Sequence, residues 1–238
     1  MPSDKMSVSI VMPVYNEREY ISQVIRRVLD TGIPQELVVV DDFSMDGTRD
    51  VLKGIEAGWD EKGARLRLVM HERNQGKGAA LRTGFGAVTG DIVIVQDADF
   101  EYDPRDYPKL LQPILEGKAD VVYGSRFTGG DSHRVLFFWH MVGNKILTFF
   151  SNMLTNLNLT DMETGYKAFR TEVLRGIRLE SDRFGFEPEI TAKVAKKRWR
   201  IYETSISYAG RTYEEGKKIN WKDGIAAFWH ITKFNLFR

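Results

Sequence analysis

The sequence predicts an α/β fold with a doubly wound, mostly parallel sheet that is flanked by helices. Short aliphatic segments recur along the first half of the chain, and segments with helical periodicity lie between them. Several of the aliphatic runs are continuous, which is typical of strands buried on both faces of a parallel sheet. The chain has 238 residues, 42% of them hydrophobic, so one sizeable core is feasible.

Five segments of the first half predict strands, at residues 7–14, 37–40, 66–70, 92–95 and 119–123. The first is rich in β-branched residues and stops at the turn-like pair Tyr15 and Asn16. The second is a continuous aliphatic run that ends at Asp41 and Asp42. The third and fourth broadly repeat this pattern, so all are expected in the same sheet.

Helices are predicted between these strands. The first begins near Tyr20 and has apolar residues at helical spacing, at Val24, Val28 and Leu29. The others cover residues 46–57, 78–88 and 104–116. Because strand and helix alternate, the connections are expected to be crossovers between parallel strands, which is the doubly wound arrangement.

The second half of the chain is less regular. An aromatic, amphipathic stretch precedes a strand, a helix and a second strand, and a polar loop with two glycines leads into an aromatic-rich terminal helix. The amphipathic stretch covers residues 136–157, the two strands 166–169 and 201–208, and the helix between them 187–197. The polar loop covers residues 209–218 and the terminal helix 221–237. The amphipathic stretch either packs on the core or lies on a membrane surface.

Charge and composition exclude several classes of function. The net charge is +1, from 34 basic and 33 acidic side chains, so no global field favours nucleic acid as a partner. Cysteine is absent, which excludes disulfides and thiolate zinc sites and is compatible with the cytoplasm. No secretory signal and no apolar run of about 20 residues is present, so we expect no transmembrane helix.

Two carboxylates follow the predicted strand at residues 92–95. Asp97 and Asp99 lie at the carboxyl end of that strand, where ligands bind in open α/β sheets, and Glu101 is within reach of the same edge. Carboxylate oxygens are the ligands that Mg²⁺ and Mn²⁺ prefer, commonly together with substrate phosphates. The alternative is that Asp97 and Asp99 cap the next helix or form an Asx turn.

Two other strand ends carry polar side chains of the same kind. Asp41 follows the second strand and can accept hydrogen bonds from a nucleobase or a ribose, unless the segment only caps a helix. Pro13, Tyr15 and Glu17 close the first strand, with Tyr15 available to stack and Glu17 to hold a ribose. A plain strand-to-helix turn is the alternative reading of that segment.

Basic residues next to glycines suggest contacts with an anionic ligand. Lys77 lies between Gly76 and Gly78 at the start of a predicted helix, although the full P-loop pattern is missing. The polar loop at residues 209–218 carries Arg211, Lys217 and Lys218. It either closes over a pyrophosphate or is an ordinary solvated loop.

In combination, six motifs resemble family 2 glycosyltransferases, and most closely the branch of dolichol-phosphate mannose synthases and polyprenyl-phosphate glycosyltransferases. They occur in the family's order and span most of the chain. The motifs are Pro13-Val14-Tyr15-Asn16-Glu17, Val40-Asp41-Asp42, Asn74-x-Gly76-Lys77-Gly78, Asp97-Ala98-Asp99, Gly124-Ser125-Arg126 and Asp161-x-x-x-Gly165-Tyr166-Lys167. The resemblance implies a GT-A fold over residues 1–238, with a nucleotide-sugar half at 1–125, an acceptor-side half at 126–218 and an amphipathic helix at 219–238.

The resemblance also implies roles for individual residues. It implies a Mg²⁺ or Mn²⁺ ion on Asp99, with Glu101 as second ligand and Asp97 close to the donor. The resemblance places Asp41 against the nucleobase, and Pro13, Tyr15 and Glu17 around the nucleoside. It places Arg211 with Lys217 or Lys218 on the diphosphate, and Arg126 at the phosphate of a lipid acceptor. Separately, the position of Lys77 between two glycines predicts that it lies near the donor.

The resulting hypothesis is an inverting, metal-dependent transfer of a hexose from a UDP- or GDP-sugar to a polyprenyl phosphate. The protein is expected to be cytoplasmic or peripheral on the cytoplasmic membrane face. One alternative replaces the lipid phosphate by a soluble or protein-linked hydroxyl, in which case Asp161 is the expected general base. Another is a nucleotide-sugar binding module without catalysis. In lipid-phosphate synthases an arginine and a serine in the segment after Gly-Ser-Arg help hold the acceptor phosphate. Here that stretch, residues 139–144, contains neither, and the alternatives for this role are His140 or the pair His133 and Arg134.

Overall fold

The structure is a computed structural model that describes residues 6–60, 63–129, 134–135, 137–183, 185–212 and 221–237. Lys217 and Lys218, which were predicted to contact the diphosphate, lie outside these ranges, so their role stays a prediction.

A seven-stranded sheet forms the centre of the molecule, with the strand order β3-β2-β1-β4-β6-β5-β7. The strands are β1 Val8–Val14, β2 Glu36–Asp41, β3 Arg65–Met70, β4 Ile92–Val95, β5 Val121–Ser125, β6 Lys167–Arg170 and β7 Ile201–Ser205. All neighbouring pairs are parallel except those made by β6. The predicted mostly parallel, doubly wound sheet is therefore confirmed.

Helices cover both faces of this sheet. They are α1 Ile21–Asp30, α2 Thr48–Ala57, α3 Lys77–Ala87, α4 Tyr107–Leu115, α5 Phe138–Thr155, α6 Thr171–Arg175, α7 Phe186–Lys196 and α8 Trp221–Thr232. One apolar core lies between the sheet and α1, α2 and α4, and the other lies beneath the remaining helices. Along β1, Ile10 and Met12 enter the first core and Val11 enters the second, because successive side chains of a strand point to opposite faces.

Strand β6 places a loop over the carboxyl ends of its neighbours. It runs antiparallel to β4, with Ile94 opposite Ala168, and antiparallel to β5, with Val122 opposite Ala168. The chain therefore enters β6 at the edge where β4 and β5 end. As a result, the segment 161–166 lies next to the residues that follow β4.

Three local features were not predicted from the sequence. A 3₁₀ turn, Pro104–Asp106, precedes α4, the short helix α6 follows β6 directly, and the terminal helix changes to π-helical geometry over Lys233–Phe237. The predicted absence of a transmembrane helix agrees with the described part of the chain, where no helix combines the length and apolar character needed to span a bilayer.

Candidate active site

The predicted site residues that the structure describes are distributed along the carboxyl edge of the sheet. Glu17 follows β1, Asp41 ends β2, Asp97 and Asp99 follow β4, and Arg126 follows β5. Ligands bind at this edge in open α/β sheets, because loops from several strands meet there. The edge is therefore the candidate active site.

Asp97 is paired with the lysine that begins α3. The Lys77 Nζ lies 2.9 Å from one carboxylate oxygen of Asp97 and 3.4 Å from Glu187 Oε1. Burial disfavours the charge on Lys77, but Asp97 and Glu187 outweigh it and raise the pKa of the ammonium group. Lys77 is thus a fixed cation beside Asp97, where it was predicted to contact the donor.

The loop before α3 is held by Asp42, a residue next to the predicted Asp41. The carboxylate of Asp42 accepts hydrogen bonds from the backbone N–H of Gln75 at 2.9 Å and of Gly76 at 2.6 Å. Gly76 has a φ of +99°, which favours glycine, and a Cβ there would overlap the carbonyl oxygen of Asp182. Sequence reasoning gave Asp42 no role of its own, although its position at a strand end was a usable signal.

Asp99 lies in a region of excess negative charge. Burial, together with the neighbouring Asp97 and Glu101, raises the pKa of Asp99 to about 7, against the opposing effect of Arg211. The Asp99 Oδ1 accepts the backbone N–H of Glu101 at 3.1 Å. Oδ2 accepts a hydrogen bond from Arg211 Nη2 at 2.8 Å.

Arg211 connects three acidic residues from distant parts of the chain. Its guanidinium donates to both carboxylate oxygens of Glu17, at 3.1 and 3.2 Å, as well as to Asp99. Its backbone N–H donates to Glu101 Oε1 at 2.8 Å, while the hydroxyl of Tyr208 donates to Glu101 Oε2 at 3.0 Å. Arg211 was predicted on the diphosphate and Glu17 on the ribose, and these roles stay predictions.

The carboxylates after β4 fit a divalent cation that phosphates would complete. Asp97 and Asp99 supply hard oxygen donors, and burial together with the neighbouring carboxylates raises the pKa of Asp99, a cost of ionisation that a bound cation would relieve. Both oxygens of Glu101 accept hydrogen bonds, from Tyr208 and from the backbone of Arg211, just as the oxygens of Asp97 and Asp99 are engaged by their own neighbours. The predicted role of Glu101 as second metal ligand stays a prediction. Across the described ranges, no three Asp, Glu or His side chains form a complete metal site.

Arg126, which follows β5, and Asp161, which precedes β6, form a buried ion pair. The Nε and Nη2 atoms of Arg126 lie 2.6 and 2.7 Å from the two carboxylate oxygens of Asp161, which is fully buried. The guanidinium also stacks on Tyr208, 5.2 Å from the ring centre. Both oxygens of Asp161 are therefore engaged by Arg126, and the predicted role of Asp161 as a general base stays a prediction.

At the end of β2, Asp41 is fully buried and lies 3.0 Å from Arg49 Nε through Oδ2. Its Oδ1 is buried without a hydrogen-bond partner, which is costly unless a donor arrives. Pro13 is half-buried and Tyr15 is 38% exposed, so the Tyr15 ring is accessible for stacking. The contacts predicted for these three residues remain untested predictions, and the free Oδ1 is compatible with a base N–H.

Two buried charged residues near this ion pair, Lys167 and Glu163, received no role in the sequence analysis. Lys167 is fully buried, donates to the backbone carbonyls of Met162 and Thr164, and lies 4.8 Å from the centre of the Tyr123 ring. Glu163 Oε1 is buried without a hydrogen-bond partner, and burial together with Glu187 raises the pKa of Glu163 to about 8. Only the tertiary structure brings these groups together.

A protein-family model matches residues 9–178, and its description is glycosyl transferase family 2. The match covers more than half of the chain. The chain belongs to glycosyl transferase family 2. The resemblance found from the six sequence motifs is thereby confirmed.

Characterised relatives of this family 2 protein act on polyprenyl phosphates, according to their names. The chain is 31% identical over 245 residues to the undecaprenyl-phosphate mannosyltransferase of Micrococcus luteus, covering 97% of this chain and 95% of the relative. It is 29% identical to the dolichol-phosphate mannosyltransferase of Pyrococcus furiosus, covering 89% of this chain and 59% of the relative. It is 26% identical to the UDP-N-acetylglucosamine–dolichyl-phosphate N-acetylglucosaminyltransferase of Methanococcus voltae, covering 96% of both proteins.

Solved structures confirm the GT-A fold of this family 2 protein. Glucosyl-3-phosphoglycerate synthase from Mycobacterium tuberculosis, in complex with Mn²⁺, UDP and phosphoglyceric acid, superposes with a TM-score of 0.74. The sequence identity is 21%, and the match covers 98% of this chain and 80% of that one. At this identity the likeness concerns the fold alone.

Proposed function

We propose that this family 2 protein transfers a hexose, with inversion, from a UDP- or GDP-sugar to a polyprenyl phosphate, and that it requires Mg²⁺ or Mn²⁺. The observation that carries the proposal is the arrangement at the carboxyl edge of the sheet. There, the acidic group of Asp97 and Asp99 lies next to the fixed cations Lys77 and Arg211. Such an arrangement is suited to a pyrophosphate and its counter-ion.

On the donor side, the residues bind and orient the nucleotide sugar. Asp41 accepts a hydrogen bond from the nucleobase through its unpartnered oxygen, and Tyr15 stacks on it. Asp99 and Asp97 hold the divalent cation, which when bound would neutralise charge on the diphosphate. Lys77 and Arg211 stabilise the negative charge that develops on the departing nucleoside diphosphate.

On the acceptor side, Arg126 recognises the phosphate of the lipid. Its guanidinium is fixed by Asp161 and stacked on Tyr208, so it is preorganised for an anion. A phosphate oxygen is already anionic at neutral pH and can attack the anomeric carbon without a strong general base. The engagement of both Asp161 oxygens therefore favours a phosphate over a hydroxyl acceptor.

The lipid is reached through an exposed apolar surface on α5 and α8, which we call the aromatic face. It comprises Phe138, Trp139, Ile146, Phe149, Met153, Ile225, Phe228 and Trp229, all of them exposed. Phe150 of α5 and Phe228 of α8 are 5.2 Å apart between ring centres, so the two helices form one surface. The Thr148 hydroxyl of α5 accepts the backbone N–H of Met162, which connects this surface to the loop that carries Asp161.

The proposal is tested by incubating the protein with radiolabelled UDP- and GDP-sugars, undecaprenyl or dolichyl phosphate in detergent, and Mn²⁺ or Mg²⁺. We expect label to pass into the organic phase with at least one donor, and only in the presence of metal. Asp99→Asn is expected to lower the rate by about 100-fold or more, because it weakens the site that balances the diphosphate charge. The matched control Glu116→Gln changes an exposed carboxylate at the end of α4 and is expected to leave the rate within about twofold.

Three outcomes would contradict parts of the proposal. Label found only in water-soluble or protein-bound product would indicate a hydroxyl acceptor. Donor binding without turnover over a broad acceptor panel would indicate a binding module. Metal-dependent transfer that survives in Asp99→Asn would reject the proposed metal site.

A further inference from the structure

The guanidinium of Arg211 occupies the centre of the acidic group at the sheet edge. It lies 2.8 Å from Asp99 Oδ2 and 3.1 Å from Glu17 Oε1, and the Arg211 backbone N–H is fixed by Glu101. The side chain is only 14% exposed. Behind it, the ring of Tyr20 lies 5.6 Å from the guanidinium carbon. Arg211 thus neutralises carboxylates that follow two different strands.

The hydrogen bonding of Arg211 is incomplete even though the group is buried. Its Nε is buried and has no hydrogen-bond partner. An unsatisfied buried donor is unfavourable, so this position leaves part of the hydrogen-bonding capacity of the guanidinium unused. A ligand that offers a full set of acceptor oxygens, such as a diphosphate, would bind this guanidinium better than the carboxylates of Glu17 and Asp99 do.

A divalent cation on Asp99 and the guanidinium in this position compete for the same carboxylate. Mg²⁺ binds carboxylate oxygens at about 2.0–2.1 Å, and Asp99 Oδ2 already has Arg211 Nη2 at 2.8 Å. Two cations on one oxygen would lie a few ångströms apart in a poorly solvated site, where their repulsion is strong. Metal binding to Asp99 is therefore weakened as long as Arg211 stays in this position.

We propose that Arg211 is an internal counter-cation that keeps the divalent metal out of the acidic site until the nucleoside diphosphate arrives. The diphosphate then supplies a new partner for the guanidinium and releases Asp99 for the metal. Metal and nucleotide thus favour each other's binding, because both favour the state in which Arg211 has left the carboxylates. This inference rests on the proposed function for the identity of the anion, but not on any transfer step.

The test measures Mn²⁺ affinity of the full chain without nucleotide, from the electron paramagnetic resonance signal of free Mn²⁺. Arg211→Gln removes the competing charge, and we expect it to bind Mn²⁺ on the order of tenfold more tightly than the wild type. Saturating UDP or GDP is expected to increase Mn²⁺ affinity strongly in the wild type and much less in Arg211→Gln. The variant gains metal affinity while losing a group that the proposed function needs for turnover.

Two further variants make the measurement specific. Arg200→Gln removes an arginine that is paired with Asp120 at the opposite edge of the sheet, and its Mn²⁺ affinity should equal that of the wild type. Arg211→Lys keeps the charge but not the forked geometry, so we expect an intermediate affinity. If Arg211→Gln does not fold, the Arg211→Lys variant decides by the same criterion.

Unchanged or weaker Mn²⁺ binding in the Arg211 variants would overturn the inference, as would the absence of Mn²⁺ binding in every protein tested. Failure of the proposed function has a different signature. If Arg211→Gln binds Mn²⁺ more tightly but no donor and acceptor pair gives a lipid product, the counter-cation is supported and the proposed reaction is rejected.

Discussion

At the residue scale, the site consists of ion pairs rather than isolated charges. Asp97 is paired with Lys77, Asp99 with Arg211, and Asp161 with Arg126. Removing a charge from water is costly unless it is paired, so these partly buried groups hold each other in place before any ligand binds. A phosphate that binds at this edge would therefore replace a carboxylate as the partner of a cation that is already oriented.

Glu163 differs from these residues because one of its oxygens has no partner. Burial and Glu187 raise its pKa from 4.5 to about 8, while Lys167 and Arg126 act in the opposite direction. A carboxyl group whose pKa rises on folding destabilises the folded state when it is ionised. This cost starts above the pKa of the unfolded chain and is complete above the folded value.

We predict that wild-type protein loses stability relative to Glu163→Gln as the pH rises from about 5 to 8. At the lower end of this range Glu163 is largely protonated in the folded protein and the two proteins should be nearly equal. Between these pH values the difference in free energy of unfolding should grow by at most about 1.4 kcal/mol per pH unit, and above about pH 8 it should level off. Urea unfolding at a series of pH values in metal-free buffer measures it, and a difference independent of pH would contradict the assignment.

At the scale of elements, the start of α3 is positioned by close packing against the segment that precedes α7. A Cβ on Gly78 would overlap the carbonyl oxygen of Ser181 and lie 3.1 Å from that of Arg183. The backbone N–H of Ala79 donates to the carbonyl of Asp182 at 3.0 Å. This contact fixes the first turn of α3 and thereby the direction in which Lys77 reaches Asp97.

We predict that Gly78→Ala destabilises the protein by about 1–3 kcal/mol, because backbone atoms must move to accept the methyl group. It should also lower activity, since Lys77 shifts with the helix. Gly86→Ala is the matched control in the same helix, because nothing lies within 4 Å of its Cβ. The control should be neutral or stabilising by up to about 1 kcal/mol. Chemical denaturation of both variants measures these effects, and equal stabilities would show that the packing is not restrictive.

At the scale of the whole molecule, the aromatic face gives the protein a side that is suited to a lipid surface. Trp139 is 78% exposed and Phe149 71% exposed, an unusual concentration of large apolar side chains in contact with water. Lys145 is exposed on the same helix and adds positive charge. Aromatic and cationic side chains together favour the interface of a membrane that contains anionic lipids.

We predict that replacing Trp139 and Phe149 by serine reduces binding to vesicles with anionic lipids by about tenfold or more. The reason is that full burial of each ring in the membrane would stabilise the bound state by about 1.5–3 kcal/mol. Transfer to a water-soluble, short-chain polyprenyl phosphate should be nearly unchanged. The control Met45→Ser removes an apolar side chain that is 77% exposed but outside the aromatic face, and should bind vesicles as the wild type does. Flotation assays compare the three proteins; equal binding would exclude this surface as the membrane contact.

The sequence alone determined the type and approximate limits of most elements. The strand predicted at residues 92–95 is β4, Ile92–Val95, and the helix predicted at 187–197 is α7, Phe186–Lys196. It also determined that acidic residues follow the strands at one edge of the sheet. These features depend on local periodicity and on how a parallel sheet must be connected, both of which a single sequence contains.

Only the tertiary structure decided which of these residues contact one another and which of them are paired or buried. The antiparallel insertion of β6 brings the segment 161–166 to Asp97, and Arg211 contacts Glu17 across 194 residues of sequence. It also decided that Asp161 holds Arg126 and that Glu101 is engaged by its neighbours. The physical reason is that ion pairing and burial depend on distances between segments far apart in the chain, and no local pattern of residues encodes those distances.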